Sequence, residues 1–242
     1  MDTWVWIGGF IPVEAVLLAG SRDVRAVALT RERLDSRLAR LERLARERGV
    51  PLETHDADVL TDLVGFAGHG GVAAQVGPRR MASLSDLFAS PAPALVMLDG
   101  VEDPYNFGQA VRSLYAAGID GLLVRPRNWL SAGAAVRASA GATEFMPTAA
   151  VETVEEAAAE ARARGLRVAV ADEEGASMTT VDLAGPLLLV VGGEKRGVTR
   201  SFRRAADLRV RIPYGRPFDH SLGTTAAATA LAFEIQRQRA PR

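Results

Sequence analysis

At 242 residues, with 48% apolar and 24% charged side chains, the chain has room for one large or two small packed domains, which excludes disorder or collagen-like repetition as its main state. The absence of cysteine excludes disulfides, thiolate metal sites, iron–sulfur clusters and cysteine nucleophiles. Its 29 basic and 29 acidic residues cancel, which argues against a broad, sequence-blind nucleic-acid binder.

The start, Met1-Asp2-Thr3-Trp4, lacks a basic leader followed by a long apolar stretch, so a cytoplasmic protein is expected. Pro12 to Ala19 reads as a short helix after the Ile7-Gly8-Gly9 turn, and Val24 to Leu29 as a strand. From Arg31 to Arg48, Leu34, Leu38, Leu41, Leu44 and Ala45 recur at helical spacing, with arginine and glutamate between them. Gly49 stops that helix, and Val50-Pro51-Leu52 opens a short strand. Asp56 to Val64 reads as a helix and Gly71 to Val76 as a strand. An alternating module over residues 1–78 results, followed by a linker, 79–93, bounded by Pro78 and Pro93 and long enough for a short helix.

The second part, 94–242, opens with the buried-type strand Ala94 to Leu98 and the loop Asp99 to Pro104. A helix from about Phe107 to Ala117 ends at Gly118, and Gly121 to Val124 resumes as strand. A helix over 152–164 and strands at Arg167–Ala171, Leu187–Val191 and Leu208–Ile212 follow, then a long helix from Ser221 to Arg237. This alternation predicts an α/β fold with a mostly parallel sheet covered on both faces. The longest apolar runs, such as Gly185 to Gly192, are far too short to cross a bilayer.

Ligands in such folds collect beyond the carboxyl ends of the strands, which singles out three loops. In Asp99 to Arg112, Asn106 sits at a strand-to-helix transition, where it can cap the helix or fix loop carbonyls. Arg112, six residues on, can point back to the loop or simply be solvated. Gly192-Gly193-Glu194-Lys195-Arg196-Gly197 has the wrong spacing for a Walker A loop, and no Gly-x-Gly-x-x-Gly fingerprint opens a dinucleotide site. Glu194 is unwelcome in a phosphate nest and points towards a cationic or hydroxyl-rich ligand, or else to a plain turn. The third loop runs from Ile212-Pro213-Tyr214-Gly215 to Ser221-Leu222-Gly223-Thr224-Thr225. Here Ser221, Thr224 or Thr225 can cap an alanine-rich helix suited to close packing or a dimer seam. His55, His69 and His220 have no close spacing, so no metal site is expected. His220 reads as a loop or cap residue, since no serine–histidine–acid arrangement follows from Asp219 beside it.

Taken in order, the three loops resemble the signature motifs of the SpoU (TrmH-like) family of S-adenosylmethionine-dependent RNA ribose 2′-O-methyltransferases, within the SPOUT class. Asp103 to Arg112 is similar to the first motif, Gly192 to Gly197 to the second, and Arg211-Ile212-Pro213 with Ser221-Leu222 to the third. Val136 to Ala142 resembles the segment between the first two motifs. Gly9 to Val16 and His69 to Ala74 are similar to the L30e-like substrate-binding module found ahead of such catalytic domains.

The resemblance implies a trefoil-knotted parallel α/β catalytic domain and S-adenosylmethionine as cofactor, contacted by Gly193, Ile212 and Leu222 with Gly197 shaping the loop. It implies a structured rRNA or tRNA substrate and a homodimer whose active sites use both subunits. It also assigns Arg112, Asn106 and Glu194 to the catalytic centre. One departure stands out: the third motif usually reads serine–leucine–asparagine, and here Gly223 holds the asparagine position. Two readings follow. Thr224 or Thr225 supplies the missing polar group, or the chain is a non-catalytic RNA-binding or assembly protein on the same scaffold.

Charge is unevenly spread. Glu144 to Asp182 carries nine acidic residues against three arginines, whereas Lys195 to Arg242 carries eleven basic against three acidic. The basic end attracts polyanions unless it is ordinary solvated surface.

Overall fold

Val5–Gly8 forms the first strand, β1, ahead of the first element expected from the sequence; helix α1 (Phe10–Ala19) follows directly. The computed structural model describes residues 4–31, 36–127, 133–193 and 197–240, so Leu34 and Glu194 lie outside the described residues. After α1 come β2 (Val24–Thr30), α2 (Ser36–Glu47), β3 (Leu52–His55), α3 (Ala57–Val64) and β4 (Val72–Val76). Helix α1 stops at Gly20, whose φ of 61° closes the last turn through an N–H donated to the Val16 carbonyl. Helix α2 turns Leu38, Leu41 and Ala45 inward and its arginines and glutamates outward.

The four strands run in the order β1-β4-β2-β3, and only β2 and β3 are parallel. This sheet is therefore mixed, not mostly parallel. The chain leaves α3 through a 3₁₀ turn at Ala67–His69 and enters the sheet from the opposite end as β4. His69 is buried at that turn. Its Nδ1 accepts the Gly71 N–H at 3.1 Å, so its Nε2 proton is left for the Thr61 hydroxyl, also 3.1 Å away.

The second sheet is built from β5 (Ala94–Asp99), β6 (Gly121–Val124), β7 (Thr148–Ala150), β8 (Arg167–Ser177), β9 (Leu187–Gly192) and β10 (Leu208–Arg211). Its order is β10-β8-β9-β5-β6-β7 and every pairing is parallel. Between strands lie α4 (Leu84–Leu87), α5 (Pro104–Ala116), α6 (Gly133–Ala138), α7 (Ala142–Phe145), α8 (Val154–Ala163), α9 (Arg200–Ala205) and finally α10 (Thr224–Arg239). All six residues of β5 are buried, as a strand covered on both faces requires. Val154, Ala157, Ala158 and Ala161 of α8 and Phe202 of α9 pack on one face with Leu95, Met97, Leu188 and Val190. On the other, α10 packs along α5 and against β9, with Ala228 and Ala232 fully buried. Ala228 and Ala232 of the alanine run thus serve close packing inside the chain, while Ala226 stays exposed.

The chain divides into two compact units, residues 1–80 with 128–145, and residues 81–127 with 146–242. Residues 133–145, expected within the second part, cluster with the first. Val136 joins the core formed by Val13, Val16 and Val27, and a Cβ on Gly141 would lie 2.5 Å from that of Ala15. Glu144 completes the attachment. Its carboxylate accepts from Arg22 Nε and Nη2, both at 2.9 Å, and from the Ser21 hydroxyl. Nothing in the local pattern marks that pair, because its partners are 122 residues apart.

Candidate active site

The order of the second sheet reverses direction between β5 and β9, and ligands gather beyond the carboxyl ends of strands at such a switch point. A cavity of about 920 Å³ opens to one side of that point, beside Ala171 to Glu173 of β8 and past the ends of β9 and β10, with no residue of β5 in its wall. Its wall is formed by Ala171 and Asp172, by Val191 to Gly193 with Gly197, by Val210 to Ile212, and by the loop from Tyr214 to Thr224. Gly193, Gly197, Ile212 and Leu222, singled out from distant stretches of sequence, all line this one space.

The loop after β9 is shaped by close backbone approach. Gly193 donates its N–H to the Asp99 carbonyl at 2.7 Å, and a Cβ on Gly193 would lie 2.1 Å from the Gly100 oxygen. Only glycine lets the two strand ends meet this closely. Gly193→Ala is therefore expected to push the loops apart and weaken S-adenosylhomocysteine binding by at least about tenfold, or roughly 1.4 kcal/mol. Calorimetry on the purified variant checks it; unchanged affinity would show that the contact is dispensable.

Two neighbouring hydroxyls then lock the third loop to the other two. Thr224 donates to the Gly192 carbonyl at 2.8 Å, and Thr225 donates to the Asn106 carbonyl at 3.1 Å. The expected hydroxyl caps are absent. Gly223 is the N-cap of α10 without a side-chain bond, and Thr224 and Thr225 turn outward to the loops instead. A Cβ on Gly223 would meet nothing within 4 Å, so this position is open space, not a steric necessity.

Helix α5 starts at Pro104, three residues before the expected start, because Asp103 caps it by accepting the Asn106 N–H at 2.8 Å. Asn106 is thus inside the first turn and is not the cap. Neither Asn106 nor Arg112 belongs to the cavity wall. Arg112 is exposed on α5 and, among the described residues, makes no hydrogen bond or ion pair. Glu194 falls outside the described residues.

The cavity wall holds one ionised cluster that the sequence did not disclose. Asp172, with its side chain fully buried, accepts from Arg209 Nε at 2.7 Å, from Arg203 Nη1 at 3.2 Å and from the Glu174 N–H at 3.1 Å. Burial pushes the Asp172 carboxyl up, but the Arg209 bond, the backbone N–H and the two guanidinium charges outweigh it and hold it below the usual range. The cluster ties β8, α9 and β10 together under the cavity. Its only sequence signal was acidic residues directly after an apolar strand, and their arginine partners depend on the β8–β10 pairing. Among the described residues, no group of acidic or histidine side chains is arranged to hold a metal ion, and no helix is long and apolar enough to cross a membrane.

Two family models match the chain. Residues 93–233 match the SpoU rRNA Methylase family, and residues 6–82 match the substrate-binding domain of RNA 2′-O ribose methyltransferases. The chain belongs to the SpoU rRNA methylase family. Among its SpoU relatives, the 23S rRNA (guanosine-2′-O-)-methyltransferase RlmB of Pseudomonas aeruginosa is 33% identical over 100% of this chain and 99% of its own length. A tRNA/rRNA methyltransferase of Mycobacterium ulcerans, described as uncharacterized, is 34% identical over 94% of this chain and 75% of its own. In structure, the SpoU methyltransferase AviRb from Streptomyces viridochromogenes, solved in complex with the cofactor AdoMet, superposes with a TM-score of 0.82 at 26% identity. That match covers 98% of this chain and 90% of AviRb.

Proposed function

We propose that this SpoU family protein transfers a methyl group from S-adenosylmethionine to a ribose 2′-hydroxyl of structured ribosomal RNA, in the cytoplasm and as a homodimer. The observation that carries the reading is the convergence of Gly193, Gly197, Ile212 and Leu222 on one cavity past the ends of β9 and β10 of the parallel sheet. RlmB relatives aligned over their whole length support ribosomal RNA over transfer RNA. The close crossing of the Gly193 loop over Gly100 supports the knotted path typical of the class.

The cavity suits the cofactor. Ile212 and Leu222 offer apolar surface for a flat ring, with Leu222 left 38% exposed. Beside them runs the backbone of Gly192, Gly193 and Gly197, which carry no side chain. When bound, the cofactor supplies a methyl group already activated by its positive sulfur. The protein's remaining task is to place a ribose hydroxyl in line and to help it lose a proton. Placement alone is worth up to roughly 7–11 kcal/mol in favourable cases.

Arg112 would clamp the ribose and a neighbouring phosphate with its fork of donors, a better use of guanidinium than accepting a proton. Its free, exposed position on α5, outside the cavity wall, supports its service to the site of a second subunit. Asn106, held at its carbonyl by Thr225, would steady the hydroxyl or the loop, and Glu194 would orient donors around Arg112. The Thr224 and Thr225 bonds favour catalysis over the non-catalytic alternative, because they hold all three loops in place without the motif's asparagine.

Incubating the pure protein with methyl-labelled cofactor and total bacterial RNA tests this. Label is expected in 23S ribosomal RNA at one alkali-resistant linkage. Cofactor binding with no label in any RNA would favour the non-catalytic reading.

A further inference from the structure

The outer wall of the cavity carries a feature that methyl transfer does not itself require. Tyr214 and Phe218 are 38% and 57% exposed, although aromatic residues make up only 6% of the chain. They are not scattered. The Tyr214 and Phe218 rings lie 6.1 Å apart at 56°, and Phe218 meets His220 edge-on at 5.4 Å and 76°. Pro213 and Pro217 stiffen the segment, and the Tyr214 hydroxyl accepts the Leu222 N–H at 3.1 Å, which ties its two ends together. Exposed rings held in a fixed array lose little entropy when a flat partner settles on them.

We propose that Tyr214, Phe218 and His220 form a stacking shelf for an unpaired nucleobase of the substrate RNA, next to the nucleotide whose ribose enters the cavity. This inference rests on the RNA methyl-transfer reading above and adds to it how the substrate is gripped. Aromatic and histidine faces stack bases of any identity, and unstacked bases are what proteins read in single-stranded RNA. Arg216 sits within the shelf and, among the described residues, makes no hydrogen bond or ion pair, which leaves its guanidinium to a phosphate. Arg211 adds a second positive charge at the wall, where the carboxylates are Asp219, Glu173 and Asp172, the last already paired with Arg203 and Arg209. A purely apolar protein partner would not call for that charge.

The test uses the full-length protein, a short unstructured RNA oligonucleotide and the same sequence as a duplex, with S-adenosylhomocysteine affinity measured in parallel. Phe218→Ala is expected to weaken single-strand binding by about tenfold and to leave S-adenosylhomocysteine affinity within about twofold. Phe218→Trp is expected to restore RNA binding, since it returns a ring. Three results would overturn the shelf: unchanged RNA affinity in Phe218→Ala, equal loss of RNA and S-adenosylhomocysteine binding, or a shift to monomer at unchanged RNA affinity. The second would make the ring part of the cofactor wall, and the third a subunit contact. Failure of the methyl-transfer reading is read separately, as wild-type protein that binds no S-adenosylhomocysteine or labels no RNA.

Discussion

Arg112→Ala is expected to lower methyl transfer at least about 100-fold while S-adenosylhomocysteine affinity stays within about twofold. The guanidinium is the free cation of α5, exposed and without a partner among the described residues, so its removal disturbs no packing. It is also absent from the cavity wall of its own chain, the position that the proposed service to a second subunit requires. Mixed dimers of Arg112→Ala and Gly193→Ala subunits should therefore regain part of the activity that each homodimer lacks. In such a dimer one site pairs an intact cavity with an intact arginine. No recovery in the mixture, with both variants folded and dimeric, would place Arg112 in its own chain's site; equal loss of cofactor binding in Arg112→Ala would give it a structural role.

The largest stability effect is expected at Glu144→Gln. The side chains of Arg22 and Glu144 are both fully buried, and Arg79 lies close enough to feel the same carboxylate. Removing one partner of a buried ion pair strands the other charge and costs roughly 3–5 kcal/mol. Urea unfolding should show the loss as a lower midpoint at unchanged slope. Replacing both partners, Arg22→Met with Glu144→Leu, should recover only part, because Arg79 then lacks the carboxylate beside it. Burial raises the Glu144 carboxyl, but the Arg22 bond and charge, the Ser21 hydroxyl and Arg79 outweigh it, so its folded value lies below the ordinary 4.5. A carboxyl with a depressed folded value stabilises the protein above its ordinary value. That contribution falls away as the pH drops below 4.5 and through the lowered folded value. Glu144→Gln should lack this acid-side loss; the same acid profile as wild type would contradict the assignment.

The elements with strong local signals were legible in the sequence. Apolar runs marked β5 and β9, helical spacing of leucines marked α2, and the glycine stops at Gly49 and Gly118 marked the ends of α2 and α5. β1, β7, α6, α7 and α9 were not legible: each has three to six residues, too few for a period, and none is a continuous apolar run like β5 or β9. β8, expected over Arg167–Ala171, runs on through Asp172-Glu173-Glu174 to Ser177. The strand continues because Arg209 of β10 neutralises Asp172 and Glu174 across the pairing.

The three site loops were found by composition and spacing, since glycines, prolines and an asparagine after buried strands are visible one residue at a time. Where those loops meet was not visible. The cavity exists because the parallel pairing sets β9 and β10 on either side of β8, and because Gly193 can lie against Gly100 while Thr224 and Thr225 reach carbonyls on two other segments. By itself the sequence determined the alternation of strand and helix, the lack of thiol chemistry and the residue types offered to a ligand, all properties of near neighbours along the chain. Tertiary structure alone decided the burial of Glu144 on Arg22, the Asp172 cluster and the array of Tyr214, Phe218 and His220 on one wall. Each of these depends on groups brought together, or held in a set orientation, by the folded backbone, and pairwise energies of that kind leave no mark in local pattern.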